Sequence, residues 1–282
     1  MRIVSLVPAA TEVIAAIGAE EFLVGVSDAC DYPPSVRALP RVTRSQVDSR
    51  LASGEIARRV SAAAQAGTGP ITLDHAMLAD LRPDVVIGQG LCAVCAIGDA
   101  TLDEATAALI PRPLVVTLHA HTVTDVLGDI ERVGQAVGRP AEGASCVAAL
   151  RERLERVRSR RTRGHRPRVL VLEWIDPPYV AGHWVPELVE LTGATCVGAT
   201  PGARSSAHPW DALVALAPDV VVVPLCGFDV ARARVEAATV ADPDGRRLLR
   251  EHVEFLDGNS YTSRPGPRLV DAAERLAEML TQ

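Results

Sequence analysis

The chain has 282 residues, a formal net charge of -6 and a pI near 5.7, an acidic balance that excludes nucleic acid as the natural partner. Hydrophobic residues make up 48%, charged residues 23% and aromatic residues only 3%, a globular composition that excludes long disordered stretches. No apolar run approaches the roughly 18 residues a bilayer requires, so membrane insertion is not expected.

The predicted elements alternate from the start. Ile3–Val7 is a continuous apolar run that reads as a buried strand, too short for a signal-peptide core. A cytoplasmic location with reduced thiols is therefore expected, and a periplasmic one only if a leader has been removed. A helix opens at Thr11-Glu12, the two residues that would cap it, and closes near Gly18. Strands follow at Phe22–Val26, Val85–Ile87 and Leu114–Leu118, with helices at 55–65 and 73–81. Strands this apolar, joined by helices, predict a parallel sheet covered on both faces.

Thr124–Val137 then forms one amphipathic helix, and Pro140 to about Arg161 a second, a rod of roughly 33 Å. The basic run from Arg151 to Arg168 reads as the solvated side of that helix and the loop after it. Beyond it the alternation resumes, with strands at 169–173, 194–197, 219–224 and 253–256 and helices at 185–192, 210–216, 230–238 and 269–280. Leu216-Ala217-Pro218-Asp219-Val220-Val221-Val222 echoes Leu81-Arg82-Pro83-Asp84-Val85-Val86-Ile87. The expected fold is α/β: two Rossmann-like lobes with mostly parallel sheets, joined by a long linker α-helix, with a ligand cleft between the lobes. The boundaries are 1–122 for the first lobe, 123–163 for the helical segment and 164–282 for the second lobe.

In open α/β sheets ligands bind beyond the carboxyl ends of the strands. Loops at those ends carry Asp28, Cys30 and Asp31; Cys92 and Cys95; His119 and His121; Glu173, Trp174 and His183; and Cys226. Thiolates and imidazoles suit zinc, copper(I) or an iron–sulfur cluster, so Cys30, Cys92, Cys95, His183 and Cys226 form the candidate metal set. Each cysteine equally reads as a small buried hydrophobe, and Cys146 and Cys196 are expected to be structural. His183 lies in a loop stiffened by Pro177, Pro178 and Pro186, as a metal ligand (axial to cobalt included), a proton donor or a surface histidine. Trp174 and Trp184 offer flat rings to a macrocycle or serve the core, with the core favoured for Trp174. Ser5 and Pro8 sit at the first strand-to-helix turn, where free N–H groups can hold an anion. Arg264 can face the mouth of a cleft.

The opening Arg2-Ile3-Val4-Ser5-Leu6-Val7-Pro8-Ala9-Ala10-Thr11-Glu12, the Pro-Asp repeat and Arg264-Pro265-Gly266-Pro267-Arg268-Leu269 together resemble the helix-hinged (class III) periplasmic binding proteins for vitamin B12 and iron siderophores. The stretches Gln89-Gly90-Leu91-Cys92-Ala93-Val94-Cys95-Ala96 and Glu173-Trp174-Ile175-Asp176-Pro177-Pro178-Tyr179 are similar to the leaderless cobalamin-binding members. The resemblance covers nearly the whole chain. It implies cobalamin or a related small-molecule metal chelate as ligand, bound without turnover, and Gln89 among the residues around it. It also implies an ABC permease partner for an exported protein, docked through acidic residues such as Glu12 and Glu187. The alternative is a cytosolic metalloprotein or iron–sulfur enzyme built on Cys30, Cys92, Cys95, Cys226 and His183. No Ser-His-Asp order, P-loop or Gly-x-Gly-x-x-Gly after a strand is present, which disfavours ordinary hydrolase, kinase and dehydrogenase chemistry.

Overall fold

The computed structural model describes residues 1–90, 97, 99–160 and 166–280. In chain order the first elements are β1 (Ile3–Ser5), α1 (Pro8–Ala16), β2 (Leu23–Val26), β3 (Thr43–Ser45), α2 (Ser53–Gln65), β4 (Ile71–Leu73), α3 (His75–Leu81), β5 (Val85–Gln89), α4 (Asp99–Ala107), β6 (Leu114–Leu118), α5 (Val123–Ala136) and α6 (Pro140–Ser159). There follow β7 (Arg168–Ile175), β8 (Pro178–Val180), α7 (Val185–Leu191), β9 (Thr195–Cys196), β10 (Ser206–Ala207), α8 (Trp210–Ala215), β11 (Val220–Val223), α9 (Val230–Thr239), α10 (Pro243–Leu248), β12 (Val253–Phe255) and α11 (Leu269–Leu280). The chain divides into two compact units, and the boundary falls inside α6, between Ala149 and Leu150. Unit 1 also takes in residues 1–51, 58–120 and 124–149, and unit 2 takes in 52–57 and 121–123.

Unit 1 is built on a four-stranded parallel sheet in the order β2-β1-β5-β6. The central strand β1 is buried throughout, which is why its sequence is an unbroken apolar run rather than an alternation. Val4, Leu6, Val86, Leu78 and Leu102 form the core of one face. Two features escaped the sequence. Helix α1 begins three residues earlier than expected, with Pro8 in its first turn and Val7 as N-cap, so Thr11 and Glu12 are interior helical residues rather than caps. The segment expected as one helix from Leu73 divides instead: β3 and β4 pair antiparallel, and Asp74 caps α3 by accepting from the Met77 N–H at 2.9 Å.

Unit 2 centres on β7. β11 and then β12 lie parallel on one side. The other side is shared: β9 runs parallel beside Arg168 and Val169, and β8 runs antiparallel beside Leu172 to Ile175, with β10 antiparallel to β8. The parallel core is as expected; the antiparallel flap of β8 and β10 was not. Leu170, Leu172, Val221, Val223, Leu213 and Phe228 fill the core. Residues 52–57 belong here because Ile56 packs against that core and the Ser53 N–H donates to the buried Glu236 carboxylate at 3.0 Å. A carboxylate at the start of α2 complements the positive end of its dipole.

The Pro-Asp repeat is realised as one joint built twice. In unit 1 the Arg2 N–H donates to the Asp84 carboxylate at 2.7 Å and the Arg2 guanidinium to Leu81 O at 2.7 Å. In unit 2 the Arg168 N–H donates to the Asp219 carboxylate at 2.7 Å and its guanidinium to Leu216 O and Ala217 O at 2.6 and 3.1 Å. Arg82 and Ala217, each preceding the proline, both adopt left-handed backbone, with φ of 42° and 45°.

Candidate functional site

At the carboxyl ends of β1 and β2 in unit 1, the predicted residues close on themselves. Ser5 is fully buried; its hydroxyl donates to Val7 O at 3.0 Å and accepts from the Thr11 hydroxyl at 2.8 Å. The Cys30 sulfur lies 3.0 Å from the Thr11 hydroxyl and 3.1 Å from that of Ser27, and Cys30 is 1% exposed. The Arg41 guanidinium donates to Ser27 O and Cys30 O at 2.9 and 2.7 Å, fixing the loop from behind. Asp28 is exposed, yet its carboxylate accepts from the Thr43 hydroxyl at 2.7 Å and the Ser45 N–H at 2.6 Å, so it anchors β3. Pro8 and Gln89 are half-buried, at the start of α1 and the end of β5. Cys92 and Cys95 lie outside the described residues. Glu12 is 3% exposed, which corrects its expected place in a docking surface: a buried carboxylate cannot meet a partner's arginines.

Unit 2 gathers its residues differently. Trp184 is 5% exposed and donates its indole N–H to Thr262 O at 2.9 Å, while Arg264, 4% exposed, donates to Asn259 Oδ1 at 2.8 Å. Both are interior. Trp174 packs on the core, 5.3 Å from the Phe228 ring, with its indole N–H on Asp176 O at 3.1 Å. Glu173 and Cys226 are half-buried neighbours, joined by a 2.9 Å hydrogen bond from the Cys226 N–H to Glu173 O. Cys146 and Cys196 behave as packed thiols: burial raises both pKa values, and burial with Glu190 nearby pushes Cys196 up to about 12.

His183 stands apart, half-buried with φ at 53°. Its N–H donates to Ala203 O at 2.6 Å, its carbonyl accepts from the Gly202 N–H at 2.9 Å, and the Gly182 N–H donates to the Ser205 hydroxyl at 3.0 Å. A Cβ on residue 182 would lie 2.4 Å from Ala203 O, so only glycine lets these two loops touch. The imidazole on this pinned backbone sits 5.5 Å from the Trp184 ring and 5.6 Å from that of His121. Burial, then the charges of His121 and Arg204, lower the His183 pKa, so the ring is neutral at pH 7. Glu187 accepts from the Val123 N–H at 2.9 Å, which holds the His121 segment at the start of α5. Among the described residues no group of three or more His, Cys, Asp or Glu side chains is placed to hold a metal ion.

The family model for periplasmic binding proteins matches residues 3–226. The chain belongs to that family. The vitamin B12-binding protein of Vibrio cholerae serotype O1 is 22% identical over 99% of this chain and 88% of its own length. An uncharacterized ABC transporter substrate-binding lipoprotein of Bacillus subtilis is 22% identical over 99% of this chain and 79% of its own. The crystal structure of the periplasmic vitamin B12-binding protein of Vibrio cholerae superposes with a TM-score of 0.70 at 21% identity, covering 99% of this chain and 96% of that one. A periplasmic heme-binding protein from Pseudomonas aeruginosa gives 0.72 at 20% identity, covering 98% and 91%. The fold is that of the two-lobed members of the family.

In this family member the ring surface of unit 2 can stack, donate hydrogen bonds and offer a neutral imidazole nitrogen. The sequence marked His183 through its prolines and placed His121 at a strand end, but nothing in it joined the two rings. That contact joins residues 62 positions apart in the chain and rests on the fixed loop 202–205, and only folding supplies it. Arg204 carried no local signal at all.

Proposed function

We propose that this chain is a reversible binding protein for a tetrapyrrole-type metal chelate, cobalamin first, which it delivers to an ABC permease without chemical turnover. The family supports binding as the activity, and the relatives named for vitamin B12 and heme support the class of ligand. The observation that carries the reading is the neutral, half-buried His183 imidazole, carried on a backbone pinned to the 202–203 loop just after the edge strand β8. A neutral imidazole is a ligand for an open axial position on cobalt or iron, and equally a hydrogen-bond partner for the chelate's side groups. Because the backbone on both sides of it is already fixed, little ordering entropy is lost when a rigid macrocycle arrives.

The test is a visible-absorbance titration of metal-free protein with aquocobalamin and with haemin. A spectral shift saturating at one equivalent of either is expected. His183→Asn, which tolerates the left-handed backbone, should weaken the bound chelate about tenfold or more. Unchanged spectra with both chelates would overturn the reading.

A further inference from the structure

The geometry points to an anion-recognition corner in unit 2, formed by Arg204, His121 and His183, that takes a carboxylate or phosphate group carried on the edge of the chelate. This inference rests on the chelate reading above. Arg204 is exposed in a loop whose backbone presses on the His183 segment: a Cβ at residue 182 would lie 2.6 Å from the Arg204 carbonyl carbon. The two imidazoles stand 5.6 Å apart beside it. The exposed Arg204 loop and the two half-buried imidazoles are therefore neighbours in a protein whose net charge is -6. The neighbouring carboxylate of Glu187 accepts from the Val123 N–H at 2.9 Å at the start of α5. The three groups share one chemistry, N–H donation, and the fixed charge among them is positive. A bare metal cation would meet Arg204's repulsion with no third ligand in reach among the described residues. An anion meets donors on several sides, the arrangement in which charge-assisted hydrogen bonds are strongest.

The corner adds a selectivity rule to the proposed function: the preferred chelate bears an acidic edge group. Two matched pairs test it by visible titration of the intact chain at low salt, haemin against its dimethyl ester and cobalamin against cobinamide, which lacks the phosphodiester. The acid-bearing member of the pair that binds should be held about tenfold tighter or more, and Arg204→Gln should bring the two members to one affinity. A difference in the haemin pair assigns a carboxylate, and one in the cobalamin pair a phosphodiester. Equal affinities within each pair overturn the corner while the chelate reading stands. If none of the four binds, the chelate reading falls and imidazole NMR with inorganic phosphate decides the corner by itself. Shifts of His121 and His183 that vanish in Arg204→Gln keep it; unmoved resonances overturn it.

Discussion

The two units share one end of their sheets and differ at the other. At the amino end, Arg2 and Arg168 make the same hydrogen bonds to a Pro-Asp turn, down to the left-handed residue before each proline. At the carboxyl end, unit 1 spends its hydroxyls and thiol on one another, in the buried chain Ser5, Thr11, Cys30 and Ser27. In unit 2, just after the edge strand β8, the half-buried His121 and His183 rings stand 5.6 Å apart, and the exposed Arg204 lies in the loop bonded to His183. The repeated joint serves the fold, and the proposed binding chemistry falls where the two units differ, consistent with function residing in a site set upon a scaffold.

The sharpest way to break this contrast is Gly182→Ala. The added methyl would overlap Ala203 O and the backbone of residues 204 and 205, none of which can rotate away. A loss of about 3 kcal/mol in urea unfolding is expected, with weakened chelate binding in whatever folds. A variant of normal stability and affinity would show that the loop contact does not set the site. Next comes Cys30→Ala. Removing a buried sulfur that meets two hydroxyls should cost about 2 kcal/mol, yet leave chelate affinity unchanged. A tenfold loss of affinity with intact stability would move unit 1's sealed end into the site.

How much of this was legible follows from the range of the forces. Strands β1, β5, β7 and β11 announce themselves because burial on both faces demands apolar runs, a purely local signature. β3, β8 and β10 are two or three residues long, and their pairing is imposed from afar: Asp28 holds β3, and β8 folds back on β7. Trp184 and Arg264 illustrate the same limit at the site. Each has polar atoms suited to a ligand, but Thr262 O and Asn259 Oδ1 satisfy them inside the unit, and no pattern within the sequence foretells those partners. The run of arginines in α6 was expected to be solvated as a whole. Arg153 departs from it, reaching α11 to donate to Glu274 at 2.9 Å and to pair with Asp271.

Arg153 sharpens the comparison within a single helix, since the unit 2 half of α6 is tied by charge to α11. The Arg153 hydrogen bonds lower the Glu274 pKa, so the folded state holds the carboxylate ionised more strongly than the unfolded chain does. Stability from this pair is therefore present above the unfolded value of about 4.3 and is lost as pH falls through the lowered folded one. Arg153→Gln should cost about 1 kcal/mol at pH 7, with the difference from the parent fading as pH falls through the lowered folded value. A difference that persists undiminished in acid would mean that the alkyl stem, rather than the ion pair, carries the effect.

The smallest effect is the most informative about the open end. His183 has a folded pKa below its ordinary value, so as pH falls the unfolded chain gains this proton first. Stability should therefore decline as pH drops through about 6.5 toward the folded pKa and level off beneath it, and His183→Asn should flatten that part of the curve. Histidine NMR titration reads the cause directly. Removing Arg204's charge should move the His183 midpoint upward, whereas Cys30→Ala in unit 1 should leave it in place. A His183 that titrates at or above the unfolded value would mean that its ring feels neither burial nor the neighbouring charges. The two regions would then differ in shape alone, and selection for an acidic edge group would lose its electrostatic basis.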